Sequence, residues 1–388
     1  MFSLIFSLAA IAVSNTKAPA LVIFIWNLLA IVPLSVTLTE ATERISQDLG
    51  ETAGALLNIS IGNLAELIIF TALLKNKIKV VQSSLLGSIL VNLLLVLGSA
   101  IIAGALTSQD LTYNTELTHA FVGLLNLTIC CIMIPSAFYG TVKNTKSADH
   151  MSLEFSRAVS VILLVIYFLS LFFQFKSHPH LFRSTRQRNE TAHVVEDTAR
   201  KNYASCGCER YIALANRTLS CGLLIVSTVL IAICAEYFAS SFEVLNEQGV
   251  LHESFVGLIV IPIAGNVAEN VTAVVVASKD QMDLAISVAL GSAIQIGLLV
   301  SPLVVLMGWA LDKPMTLHFD RFGVVSLVGG GILVSFLVLK GKTNYLEGSM
   351  LCACFAAISY VDPIPKILMD VQITDFELVS GHFCCLYE

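Results

Sequence analysis

Apolar residues in this chain gather in runs long enough to cross a bilayer, which takes roughly 20 residues in helical form. Such runs lie near 20–39, 52–74, 82–106, 117–138, 154–175, 213–240, 254–277, 284–311, 319–339 and 345–361. An eleventh, "FSLIFSLAAIAV" at 2–13, is too short to span comfortably. It imitates the apolar core of a secretory leader, because "AVS" closes it. No basic residue precedes it, however, and many spans follow, so the pattern predicts a shortened first helix. The expected fold class is an all-α polytopic membrane protein with ten or eleven transmembrane helices.

One extended polar segment, "FKSHPHLFRSTRQRNETAHVVEDTARKNYASCGCERYIALANR" at 175–217, divides the chain into two hydrophobic halves. The expected organisation is a short N-terminal hydrophobic helix (1–16), a first transmembrane repeat (17–174), a basic loop between repeats (175–212), a second repeat (213–363) and a C-terminal tail (364–388). Arg183, Arg186, Arg188, Arg200, Lys201 and Arg210 make the loop the most basic in the chain, which favours the cytoplasm. Counted over all loops, the side holding it collects 12 basic residues and the other side 10. The overall bias is nearly balanced, so orientation rests on this loop.

Composition sharpens the class. The 388 residues are 56% hydrophobic and only 13% charged, with a mean hydropathy of +0.82. Soluble chains carry about a quarter charged residues. The net charge of −6 is modest and spread out, and nothing points to nucleic acid. The ten cysteines form no metal pattern: Cys130–Cys131 and Cys384–Cys385 are adjacent, and Cys206/Cys208 has the wrong spacing for a zinc knuckle.

Against this apolar background a polar pentapeptide appears twice, "GNLAE" at 62–66 and "GNVAE" at 265–269. The repetition extends further. Gly87-Ser88 and Gly291-Ser292 follow the two copies by about 25 residues, each near the start of the next span. Duplication at two linked places, one set per half, is the signature of transporters built from structural repeats.

Asn63 and Glu66 are three apart, as are Asn266 and Glu269, so each pair shares one helix face. A carboxylate near the bilayer centre costs about 2.5–3.5 kcal/mol on insertion scales. It must face the protein interior and meet a proton or a cation there. Gly62 and Gly265 let the backbone loosen or another helix approach. Pro262 removes a further backbone donor near the second copy. Freed carbonyls, amide oxygens and carboxylates are hard ligands, and two such sets facing one another supply much of the six to eight oxygens that Ca²⁺ takes. Helix-to-helix hydrogen bonding is the alternative use of such polar residues.

These motifs, together with "VVQSSLLGSILVNLLLVLG" (80–98), "GLIVIPIAGNVAENVTAVVVASKDQMDLAISVALGSAIQI" (257–296) and "MGWALDKPMTL" (307–317), resemble the CAX family of vacuolar H⁺/Ca²⁺ antiporters within the cation/Ca²⁺ exchanger superfamily. The likeness runs from about 20 to 361. It implies eleven spans, two inverted five-helix repeats and an ion site at their interface. It carries the cation role onto Glu66 and Glu269, with Asn63 and Asn266 beside them. It also implies weaker path positions at Gln295, Glu40, Glu43, Glu236, Gly62, Gly265, Ser88 and Ser292. Helix glue explains Gln295 equally well, and a solvated helix end explains the three outlying glutamates equally well.

The resemblance implies a multi-pass vacuolar membrane protein that moves Ca²⁺ and H⁺ through the lipid bilayer, has no cofactor and contacts no nucleic acid. A homo-oligomer stays open, as does Mn²⁺ or another cation in place of Ca²⁺, and a channel is the more distant alternative. No nucleophile, phosphate loop or metal-hydrolysis motif appears, so a secondary transporter is expected and not an enzyme. Three departures stand out. Asn270 follows the second motif where the family usually has His, the inter-repeat loop is basic where an acidic one is common, and "KILMDVQITDFELVSGHFCCLYE" (366–388) has no family counterpart.

Overall fold

The computed structural model describes residues 2–49, 54, 57, 61–74, 77–108, 110–141, 145–178 and 209–361. Most of the basic loop (179–208), the tail (362–388) and all of 50–60 except residues 54 and 57 lie outside the described residues. The apolar runs become helices: α1 Phe2–Ser14, α2 Ala20–Asp48, α3 Leu64–Leu74, α4 Ile78–Ala105, α5 Thr115–Thr141 and α6 Thr145–Phe172. After the basic loop come α7 Glu209–Glu247, α8 Glu253–Gly265, α9 Val267–Ser278, α10 Met282–Ala310, α11 Arg321–Val338 and α12 Tyr345–Val361. Among the described residues seven of these helices are long and apolar enough to span, α8 and α9 form a bent pair that is long and apolar enough when taken together, and α1, α3 and α12 are shorter apolar helices.

Local chemistry sets several boundaries. The Asn114 side chain accepts the backbone N–H groups of Glu116 and Leu117 and so caps α5. Asn344 does the same for Leu346 and Glu347 at α12. Just before these caps, β1 (Leu111–Thr112) and β2 (Lys342–Thr343) pair antiparallel, which ties the two halves together on one face.

Burial ranks the helices. The apolar windows of α4 and α10 are 83% and 67% buried, whereas the other long spans reach only 28–39%. Thus α4 and α10 form the centre, and the rest present apolar side chains such as Phe168, Ile225 and Phe336 outward. Helices satisfy their own backbone groups, so outward faces of this kind suit hydrocarbon. Around the centre, α4 packs on α8, α9 and α12, while α10 packs on α5, α6 and α9. Helix α2 lies along α7, one from each half.

Five apolar runs precede the basic loop, and among the described residues they carry α2, α3, α4, α5 and α6. Five crossings would bring the second half into the bilayer from the opposite face, the arrangement expected of inverted repeats. One face is where α6 ends and α7 begins. On the opposite, α7–α8 face, α7 ends and α4, α8 and α11 begin. Tight packing of α4 on α8 requires Gly87, whose backbone presses on the Leu258 carbonyl and the Pro262 ring, leaving no room for a Cβ.

Candidate functional site

Each pentapeptide falls where a helix breaks. Gly62 and Asn63 form a turn ahead of α3, and Asn266 separates α8 from α9, which are bent by 52°. Asn266 occupies the N-cap position of α9, yet its side chain caps nothing. Asparagine is among the preferred residues at that position because its side chain can cap. Its amide is used across the repeat boundary instead. Glu66 and Glu269 both lie in the first turn of a half-helix, at the end whose free N–H groups favour negative charge.

The geometry brings the two motifs together. Asn266 Nδ2 donates to Glu66 Oε1 at 2.7 Å and to the Pro262 carbonyl at 2.9 Å. Ser88 Oγ donates to the same Glu66 oxygen at 2.8 Å. Asn63 Nδ2 donates to Gln295 Oε1 at 3.0 Å. Each motif asparagine therefore reaches into the other half. Gly265 is the close-approach glycine here, since a Cβ on it would lie 2.9 Å from Glu66 Oε1.

Asn92, absent from the sequence reading, completes the network. Its Nδ2 donates to Asn266 Oδ1 at 2.7 Å and to the Ser88 carbonyl at 3.0 Å, and the residue is fully buried. It lies on a π turn, Val91–Val96, inside α4. A second π turn, Ile296–Val300, begins immediately after Gln295 in α10. Such turns widen the helix, change which side chains face inward and are frequent at functional sites.

Three oxygens define what the site can do. Glu66 Oε2, Glu269 Oε2 and Asn92 Oδ1 are buried and accept no hydrogen bond among the described residues. Glu66 is only 3% exposed, whereas Glu269 is partly exposed. A buried carboxylate oxygen without a donor costs several kcal/mol, roughly, unless a proton or a cation occupies it. Glu269 also feels the negative charges of Glu66 and Glu43. No three His, Cys, Asp or Glu side chains converge as a metal cluster among the described residues. A cation bound at Glu66 and Glu269 would therefore draw further oxygens from amides, hydroxyls and carbonyls, the mixture that hard divalent ions accept.

The remaining expected positions separate. Glu43 is partly buried within electrostatic reach of Glu269. Glu40 is exposed and pairs with Arg44 at 3.8 Å, and Glu236 is exposed on α7. Ser292 is half-buried on α10 and makes no counterpart of the Ser88 bond among the described residues. Asn270 Oδ1 accepts a hydrogen bond from Ser99 Oγ at 3.0 Å, which ties α9 to α4.

Residues 19–176 and 219–361 match the sodium/calcium exchanger protein family, one copy of the pentapeptide in each segment. A vacuolar calcium ion transporter of Schizosaccharomyces pombe is 38% identical over 337 residues, 87% of this chain and 77% of that protein. A Ca²⁺/H⁺ antiporter of Aphanothece halophytica is 36% identical over 87% of this chain and 88% of its own length. The structure of native YfkE superposes with a TM-score of 0.74 at 27% identity, covering 92% of this chain and 98% of that one.

Proposed function

This chain belongs to the sodium/calcium exchanger protein family, and we propose that it is a secondary antiporter exchanging cytosolic Ca²⁺ for lumenal H⁺ across an acidic-organelle, vacuolar membrane. The observation that carries the reading is the pair of buried, donor-free oxygens, Glu66 Oε2 and Glu269 Oε2, at corresponding positions in the two repeats. The names of the relatives, a vacuolar calcium transporter and a Ca²⁺/H⁺ antiporter, support the choice of ions and membrane.

Burial disfavours two bare carboxylates side by side. Protons satisfy them, and so does one divalent cation, so the two species compete for the same oxygens. With either occupant the site is near neutral, and a neutral site crosses between faces at least cost. An unloaded site, carrying two charges in a low-dielectric setting, crosses least readily. Return of one species is thereby coupled to departure of the other, which is antiport. Asn266 and Ser88 hold Glu66 in place through its other oxygen, leaving Oε2 for the ion. Asn92 orients Asn266 in turn. Two carboxylates supply two proton sites per Ca²⁺, and Glu43 is the acid best placed to add a third.

The test uses sealed vesicles, acidic inside, with Ca²⁺, Mn²⁺ or Na⁺ added outside. Ca²⁺ uptake should accompany internal alkalinisation and stop when an ionophore collapses the pH difference. Uptake that survives the collapse, with no other gradient present, would overturn the exchanger reading. Faster uptake of Mn²⁺ or Na⁺ would reassign the cargo.

A further inference from the structure

A second polar feature lies away from the carboxylate pair, on the α7–α8 face. A cavity of about 490 Å³ opens there between the starts of α4, α8 and α11 and the end of α7. Lys79, Gln82, His252, Glu253, His318 and Asp320 are among its lining residues. Its walls are fixed: Gln82 Nε2 donates to the Thr316 carbonyl and hydroxyl at 2.9 and 3.0 Å, and His318 stacks on Tyr139 at 4.0 Å. Leu86 and Leu258 line it as well. Gly87, which presses on the Leu258 carbonyl, is next in the chain to Ser88, and Ser88 is bonded to Glu66. An apolar seam between α4 and α8 therefore stands between this polar space and the carboxylate.

One ion pair bridges the junction of α3 with α4 and the start of α8. Lys77 Nζ lies 3.3 Å from Glu253 Oε1, with the side chains 16% and 30% exposed. Asn246 Nδ2 donates to the same Glu253 oxygen at 3.2 Å. Lys77 stands at the N-cap of α4, just past the end of α3, and its N–H donates to the Leu73 carbonyl of α3. Glu253 begins α8. At their inner ends these arms carry Glu66 and lead to Asn266, themselves joined by a hydrogen bond. The two arms are thus pinned at both ends, inside by the site and outside by Lys77–Glu253. Asn246 adds the end of α7, the partner of α2, to the outer pin.

We propose that Lys77–Glu253 is a latch that holds the α3 and α8 arms together and keeps the cavity closed to Glu66, which makes Glu253 a positioning residue for exchange. The inference rests on the antiporter reading above. Loss of the ion pair lets the arms part and favours the conformation open on the α7–α8 face. Fewer carriers then stand open on the α6–α7 face. An apparent dissociation constant rises as the competent fraction falls.

The experiment compares the full-length wild type, Glu253→Gln and Lys77→Met in sealed vesicles of known orientation. Glu253→Gln removes the charge but retains an acceptor for Asn246, and Lys77→Met breaks the pair from the other side. Both should raise the apparent KM for Ca²⁺ offered to the α6–α7 face by about fivefold, a typical scale for a partly exposed pair. Both should also lower the proton concentration that half-saturates the α7–α8 face. Mere structural damage lowers the maximal rate without moving the two constants in opposite directions. Unchanged constants, or constants that move together, would overturn the latch, and so would opposite behaviour of the two variants. A wild type that fails to exchange Ca²⁺ for H⁺ would overturn the functional reading instead.

Discussion

Replacing Asn266 with alanine removes three side-chain hydrogen bonds at once: to Glu66 Oε1, to the Pro262 carbonyl and from Asn92 Nδ2. Their losses differ. The Pro262 carbonyl still accepts the backbone N–H of residue 266 at 3.1 Å, and Asn92 Nδ2 keeps the Ser88 carbonyl. Glu66 Oε1 keeps only Ser88 Oγ. A hydrogen bond to a charged group contributes about 1.5–3 kcal/mol. If about 2 kcal/mol of that is felt in ion binding, the apparent KM for Ca²⁺ rises about 30-fold, because each 1.4 kcal/mol is tenfold. Asn63→Ala removes one bond between neutral groups, to Gln295, so its rise should stay below about tenfold. The assay is the Ca²⁺ dependence of pH-driven uptake in vesicles, normalised to protein reaching the membrane. An Asn266→Ala KM within twofold of wild type, or a larger effect from Asn63→Ala, would refute the role given to the Asn266–Glu66 bond.

Glu66→Gln and Glu269→Gln should each abolish exchange while the protein still reaches its membrane, since an amide neither releases a proton nor supplies charge. Near wild-type transport by either variant would rule out a shared site. Gly265→Ala places a methyl group 2.9 Å from Glu66 Oε1 and should cut transport at least about fivefold, in keeping with an overpacking cost of about 1–3 kcal/mol. A silent Gly265→Ala would show that Glu66 is not confined there. An impermeant thiol reagent should label Cys206 and Cys208 from the cytosolic side, because the basic density of their loop favours that face. Labelling from the lumen alone would reverse the orientation.

Much of this was legible because hydrocarbon is an unforgiving solvent. Apolar runs near 20 residues mark spans whatever their neighbours, and α4, α5 and α10 follow their runs closely. The repeated pentapeptide was legible for the converse reason: an acid inside such a run has no inexpensive alternative to a site. The same cost argument applied to the lone Asn92 within "SILVNLLLVL" would have flagged it, but one amide has no duplicate to mark it. Its counterpart in chain order is an isoleucine, Ile296. Individual roles were hidden because they depend on which oxygen faces which helix. Gln295 proves to be the acceptor for Asn63, so it bonds helices together and borders the site at once. Glu40 and Glu43 lie one helical turn apart, yet one pairs with Arg44 at the surface and the other lies within electrostatic range of Glu269. Spacing alone does not distinguish them.

The central claim is that Ca²⁺ and protons compete for the oxygens of Glu66 and Glu269, and the most direct test is proton release on binding. Purified protein would be titrated with Ca²⁺ in a calorimeter at one pH, in buffers of differing ionisation enthalpy. Binding that displaces protons gives a heat that varies linearly with that enthalpy, and the slope counts the protons released. At a pH low enough to load the empty site, the account expects up to about two protons per Ca²⁺, as two shared carboxyls require. Glu66→Gln and Glu269→Gln should each lose binding together with the release. Tight Ca²⁺ binding with the same heat in every buffer at every pH would contradict the account.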